Sequence, residues 1–286
     1  IGAQDLAEYA VISREPLRTR RGGLEVMTNP PPSAGGLLIL AALAQVDDAL
    51  VDDDVAFYRS LVDAGVHAND LRGQDFFAGL HQEGFVERFL HHPPRKPTGT
   101  TNVAAIDADG GMASLSSSCG SGSGVVVPGT GILLNNMMGE ADLNPGGFGG
   151  LPAGTRMTSM MAPTLATRGG HPALALGSAG SNRLRSAILQ TLVAVLDRGQ
   201  TVADAVDCPR VHPEGDGVDV EFGIGEDVCA ALEAAGYRLR RWKARSLFFG
   251  GVSAVTADDG RLAGAGDPRR GGAAAGVTRD GEVIDL

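Results

Sequence analysis

The sequence predicts an α+β fold of two antiparallel sheets with covering helices. Three observations carry that expectation. Apolar residues recur at helical spacing through the first third, short β-like runs divided by glycines begin beyond Gly99, and a long amphipathic stretch followed by mixed helix and strand signals fills the remainder. The 286 residues, 43% of them hydrophobic and 20% charged, suffice for one large domain with a substantial core.

Ser33 to Leu50 follows the breaker Pro30-Pro31-Pro32 and reads as a buried helix. Val55 to Ala64 and Gln74 to His92 place Phe57, Leu61, Phe76, Phe77, Leu80, Phe85 and Phe89 at helix-like intervals, with Asp52-Asp53-Asp54 as the cap. Residues 93–99, PPRKPTG, have the composition of an exposed connector. TTNVAAID and MASLSSS then read as strands around the turn Asp109-Gly110-Gly111, and GVVVP and GILLNN as two more. Ala162 to Thr167 and Pro172 to Leu176 form a strand pair joined at Gly169-Gly170, and Ser181 to Arg198 a long amphipathic helix. The tail adds helices at Val202 to Val206 and Asp227 to Ala235. Its strands lie at Val218 to Phe222, near Tyr237 to Trp242, at Gly251 to Thr256 and at Arg261 to Ala265.

Composition excludes several classes. A net charge of −10, from 34 acids and 24 bases, provides no basic footprint for nucleic acid. No run approaches the roughly eighteen apolar residues of a membrane span. Cys119, Cys208 and Cys229 form no C-x-x-C pair and no disulfide framework, and Cys119 reads as a small buried side chain. The six histidines lack metal-ligand spacing and read as solvated, so neither metal nor cofactor is expected. The glycines from Gly120 to Gly131 lack phosphate-loop spacing and read as a turn between strands. The chain opens at Ile1 with neither an initiator Met nor a signal region, which reads as a processed product or a fragment.

The chemistry concentrates where the connector enters the first strand, at Gly99-Thr100-Thr101-Asn102. Cleavage between Gly99 and Thr100 would give Thr100 both a hydroxyl nucleophile and an α-amine base with a pKa of roughly 7.7 to 8.0. Gly99, lacking Cβ, would let the chain bend so that Thr100 Oγ reaches the preceding carbonyl. Threonine is also an ordinary strand-start residue, so these residues alone leave both readings open.

Thr100-Thr101-Asn102, the turn Asp107-Ala108-Asp109-Gly110, PGTGILLNNMMGE (128–140), GSAGSNR (177–183) and DPRRGGAAAG (267–276) together resemble the γ-glutamyltransferase family, in the family's order. Asp5-Leu6 to Tyr9, Arg14-Glu15-Pro16-Leu17 and PPPSAGG (30–36) are similar to the end of its large subunit. The resemblance implies an N-terminal-nucleophile hydrolase fold, four layers in αββα order, made as a precursor that cuts itself. Residues 1–99 would be the end of the large-subunit-like part, with the linker at 93–99. Residues 100–286 would be the small-subunit-like part, and the two pieces would stay associated as one αββα domain.

Carried over by position, Thr100 is the nucleophile and Gly99 the last residue of the larger piece. Ser118 lies near the threonine that orients the nucleophile, and Gly180 and Ser181 match the pair whose N–H groups form the oxyanion hole. Glu140 matches the acid that holds the substrate α-ammonium, and Ser159 the serine on its α-carboxylate. Met137 replaces a polar residue beside the ammonium site, and Met160 replaces the second carboxylate-binding serine. Asn102 stands where the family has His, and the ammonium-contacting Asn finds no counterpart. Ala141 to Arg156 is too short for a lid loop, which implies an open site. An Arg pairing with the substrate carboxylate belongs upstream in the family; Arg156 and Arg183 are alternatives, each better read as an ion-pair partner. The implied substrate is a small-molecule γ-glutamyl or acyl amide, with water, an amino acid or a peptide as acceptor. A related acylase with a non-γ-glutamyl substrate and an inactive, unprocessed binding subunit stand as rival readings.

Overall fold

The computed structural model describes residues 3–46, 53–72, 74–82, 85–86, 101–140, 143–144, 147, 149–258 and 260–285. After a short helix, α1 (Ala3–Glu8), come two strands that periodicity does not reveal, β1 (Leu17–Arg21) and β2 (Leu24–Thr28). β3 (Thr101–Ile106) and β4 (Met112–Ser117) form the expected hairpin. β5 (Thr164–Arg168) and β6 (His171–Ala179) pair across the Gly169-Gly170 turn. With β10 (Gly251–Asp258) and β11 (Arg261–Gly266) they build a six-stranded sheet in the order β1-β2-β5-β6-β10-β11, antiparallel throughout.

This sheet is covered differently on its two sides. Leu174 and Leu176 of β6 and Val252 and Ala254 of β10 are buried in a core shared with α2 (Ala34–Leu43) and α5 (Arg183–Leu196). The alternate residues of a strand face the other way, and there the β3–β4 hairpin packs across β6 and β10. The contact is close: a Cβ on Gly177 of β6 would overlap the Asn102 carboxamide. Asn102 Nδ2 lies 3.0 Å from Ser114 Oγ, Leu115 O and Ser116 Oγ, while Ser253 Oγ donates to Asn102 O at 3.1 Å.

All ten residues of α2 are buried, and its first amides are satisfied from outside the helix: Ala34 and Gly35 N–H donate to Ser159 O at 2.8 and 3.3 Å. Burying a side chain such as Leu37 or Ile39 favours folding by about 1.5–3 kcal/mol each. The helix ends at Leu43, short of the expected Leu50, because Ala44 and Gln45 turn away; residues 47–50 lie outside those described. α3 (Asp54–Asp70) is capped by Asp53, whose Oδ1 accepts from Val55 N and Ala56 N. α4 (Gln74–Gly79) buries Phe76 and Phe77; residues 87–92 and the linker 93–99 lie outside the described residues.

A second core gathers the end of α2, α3, α5, α6 (Val202–Asp207), α7 (Glu226–Ala234) and a small sheet. That sheet contains β7 (Val211–Glu214), β8 (Gly217–Val220) and β9 (Leu239–Arg241), with β8 and β9 parallel, an exception to the antiparallel expectation. β12 (Ala275–Val277) and β13 (Val283–Asp285) pair separately.

Three local expectations are corrected. GVVVP and GILLNN form no continuous strands: a single bridge, Val126 to Leu133, joins them, and positive-φ glycines at 122, 124, 129 and 131 interrupt any longer ladder. Cys119 is exposed rather than buried. His212 is buried, not solvated, with Nδ1 2.8 Å from Ser186 Oγ. Among the described residues no helix is long and apolar enough to cross a membrane.

Candidate active site

β3 opens with Thr101, whose cross-strand partner is Ser117. Ser118 therefore stands one residue past β4, at the end of the hairpin where the chain enters from position 100. Gly99 and Thr100 themselves lie outside the described residues. Ser118 Oγ accepts from Gly120 N at 3.0 Å, closing a tight turn. Gly120 has φ +64°, and a Cβ there would overlap both Asn136 Oδ1 and Glu140 Oε1. The turn thus joins Ser118 to an acceptor pair, a carboxylate and an amide oxygen. Asn136 Oδ1 also accepts from Ser121 N at 2.8 Å. The sequence assigns no asparagine to this place beside Glu140, although Asn136 lies within the motif PGTGILLNNMMGE (128–140).

Met137 is half-buried against the main core, at the start of the 3₁₀ turn Met137–Gly139, which Glu140 caps. Ser159 is half-buried, and its carbonyl anchors α2. Met160 is 1% exposed and belongs to the core, so its side chain lines no open surface. Its neighbour's carbonyl fixes the start of α2, and the Met160 side chain packs inward.

At the far end of β6 the chain passes through Gly180, φ +128°, and Ser181, φ +65°, into α5. A Cβ on Gly180 would stand 2.5 Å from Gly250 Cα and 3.4 Å from Arg270 Nη2, so this turn requires glycine at 180 for close approach. Arg270 Nη2 donates to Leu247 O at 3.0 Å, and burial lowers its pKa. Gly177, under Asn102, precedes Gly180 by three residues, about 10 Å along an extended strand. The start of β3 and the Gly180–Ser181 turn thus occupy the same end of the sandwich.

The DPRRGG segment holds this end in place from below. Arg269 Nε and Nη2 donate to Glu221 Oε1 and Oε2 at 2.8 and 2.6 Å, and Arg210 Nη2 lies 2.6 Å from Asp267 Oδ2, all four side chains being buried. Burial pushes the Asp267 carboxyl up, but Arg210 and the Val252 N–H outweigh it and hold its pKa below the ordinary carboxylate value. Arg269 is therefore a tether and not an anion holder. Arg156 donates to Ala10 O at 2.6 Å and lies over the Tyr9 ring; Arg183 donates to Phe248 O and lies over the Phe248 ring.

The sequence pattern of the family described as gamma-glutamyltranspeptidase matches residues 1–277. The chain belongs to the γ-glutamyltranspeptidase family. It is 30% identical to the Acylase ACY 1 proenzyme of Pseudomonas sp. strain SE83, over 93% of this chain and 52% of that protein. It is 28% identical to the glutathione hydrolase proenzyme of Escherichia coli K12, over 94% of this chain and 53% of that one. The chain spans about half the length of these curated relatives. Among solved structures, the cephalosporin acylase of Bacillus halodurans superposes with a TM-score of 0.71 at 24% identity, covering 99% of this chain and 55% of that one, which establishes the shared α+β fold of the family.

Proposed function

We propose that this chain carries the catalytic residues of a γ-glutamyltranspeptidase-like amide hydrolase or transferase. Cleavage between Gly99 and Thr100 frees Thr100, whose Oγ attacks the amide carbonyl while its α-amine takes the proton and then delivers it to the leaving amine. Ser118 orients Thr100, and the Gly180 and Ser181 N–H groups hold the oxyanion, a contribution of about 3 kcal/mol per donor. Water, an amino acid or a peptide then resolves the acyl-enzyme. The observation that carries this reading is the packing of the hairpin: β3, which begins one residue after Thr100, crosses β6 beside the strand end that leads into Gly180 and Ser181. Glu140, with Asn136 beside it, is the proposed ammonium holder, and Ser159 the proposed carboxylate contact. The sharing of one sheet by β2 and β5 supports two pieces, 1–99 and 100–286, that stay associated after cleavage.

A second reading, an acylase with a non-γ-glutamyl substrate, is favoured by Met137, which offers a thioether where a head-group hydrogen bond belongs. Intact mass of fresh and aged protein beside Thr100→Ala tests the processing: two fragments with a new amino terminus at Thr100, absent from the variant, are expected. A single uncut mass in folded protein would sink it. Relative rates on γ-glutamyl, glutaryl and plain acyl anilides separate the two substrate readings.

A further inference from the structure

Ser181 is the non-glycine residue with positive φ among the described residues. It is 6% exposed, and its Oγ is buried without a hydrogen-bond partner among the described residues. Both features oppose folding. A left-handed backbone crowds the Cβ of an L-residue, and a buried hydroxyl that gives up water without a replacement loses its hydration. Glycine at this position would carry neither cost. A residue whose conformation and hydroxyl both disfavour the fold points to a use elsewhere, and strain of this kind collects at sites preorganised for a ligand.

The surroundings specify the ligand as an anion. The turn lies just before the first residue of α5, a fourteen-residue helix whose amino end carries partial positive charge. Asn182, the cap residue, does not close that end: its Nδ2 donates to Glu214 Oε1 at 2.8 Å, and its Oδ1 accepts from Arg72 Nη1 at 3.3 Å. The guanidinium of Arg270 lies against Gly180 on the same turn.

Resting on the reading of Gly180 and Ser181 as an oxyanion hole, we propose that the Ser181 side-chain hydroxyl is a third donor to the oxyanion. As Thr100 Oγ bonds to the carbonyl carbon, the π pair moves onto the carbonyl oxygen and the hydroxyl proton is shared with it. No covalent bond of Ser181 forms or breaks. With no partner among the described residues, the hydroxyl turns to the oxygen without giving up a bond to any of them.

The test uses Ser181→Ala, which keeps Cβ and removes the hydroxyl, and Ser181→Gly, which removes both. On an anilide that the wild-type chain cleaves, both variants should lower kcat about a hundredfold with KM within about twofold. Affinity for phenylboronic acid, a mimic of the tetrahedral anion, should fall about tenfold in both. Ser181→Gly should meanwhile raise Tm by about 2–4 °C, which separates lost chemistry from lost folding. A Ser181→Ala enzyme with wild-type kcat and boronate affinity overturns the third donor and leaves the amidase reading standing. A folded wild-type chain that cleaves no amide overturns that reading, and the inference falls with it.

Discussion

Replacing Arg269 by alanine removes a guanidinium that is fully enclosed and fully used. Its side chain is 0% exposed, and it bonds both oxygens of Glu221, Asp267 Oδ1 at 3.2 Å, and the carbonyls of Val206, Asp207 and Cys208. Alanine leaves the Glu221 carboxylate, itself 2% exposed, to the Arg210 and Ser246 N–H groups. Stranding one partner of a buried pair costs about 3–5 kcal/mol, more than the pair itself contributes, because the remaining charge cannot regain water. For a chain of this size that corresponds to a Tm lower by roughly 6–15 °C. The double variant Arg269→Met with Glu221→Gln removes both charges and should cost only about 1–2 kcal/mol. Urea unfolding of the wild type, Arg269→Met, Glu221→Gln and the double variant gives the coupling directly. An Arg269→Ala protein within about 1 kcal/mol of wild type, with an unchanged m-value, would refute the assignment of Arg269 as a buried tether.

Gly177→Ala should destabilise the chain by about 1–3 kcal/mol, since the new methyl overlaps an Asn102 carboxamide already fixed by the Ser114, Leu115 and Ser116 oxygens; thermal unfolding measures it, and loss of amidase rate beyond the loss of fold would follow from displacing β3. Asp267 has a depressed pKa, so its contribution to stability is complete above its unfolded value near 4 and is lost as pH falls through the lower folded value. Asp267→Asn should therefore flatten the acid limb of the stability curve below about pH 4, and an unchanged slope there would contradict the pairing.

How much of this was legible depended on whether burial followed a simple period. α2 and α5 show because their apolar faces meet the core at helical spacing, and the β3–β4 hairpin shows because Asp109-Gly110-Gly111 marks its turn. β1 has no strand signature because its sequence is LRTRR: Arg18 pairs with Glu25 across the strands, and Arg21 is buried against Asp197 and the carbonyls of Leu43 and Val46, so charge masks a strand. β7 hides a proline and the buried His212 in VHPE. The opposite error arose at GVVVP and GILLNN, where β-prone residues lack a neighbouring sheet to join. Of the site, the motif order pointed to Ser118, Glu140, Gly180 and Ser181. It could not show that Met160 turns into the core or that Gly120 lies against both Asn136 and Glu140, because both follow from how segments distant in sequence pack together.

The hairpin that carries the start of β3 also leaves an uncharged, largely apolar face open to solvent. Its outward face, Thr101, Val103, Ala105, Ala113, Leu115 and Ser117, is exposed, with Val103 directly opposite Leu115 and each more than 60% exposed. Neither strand contains a lysine, a proline or any charge to discourage edge pairing, and among the described residues neither has a second strand beside it. What separates the copies is long-range repulsion from a net charge of −10. That repulsion reaches about 30 Å at 0.01 M salt and about 3 Å at 1 M. Raising the salt therefore weakens the repulsion that opposes edge pairing at these exposed strands.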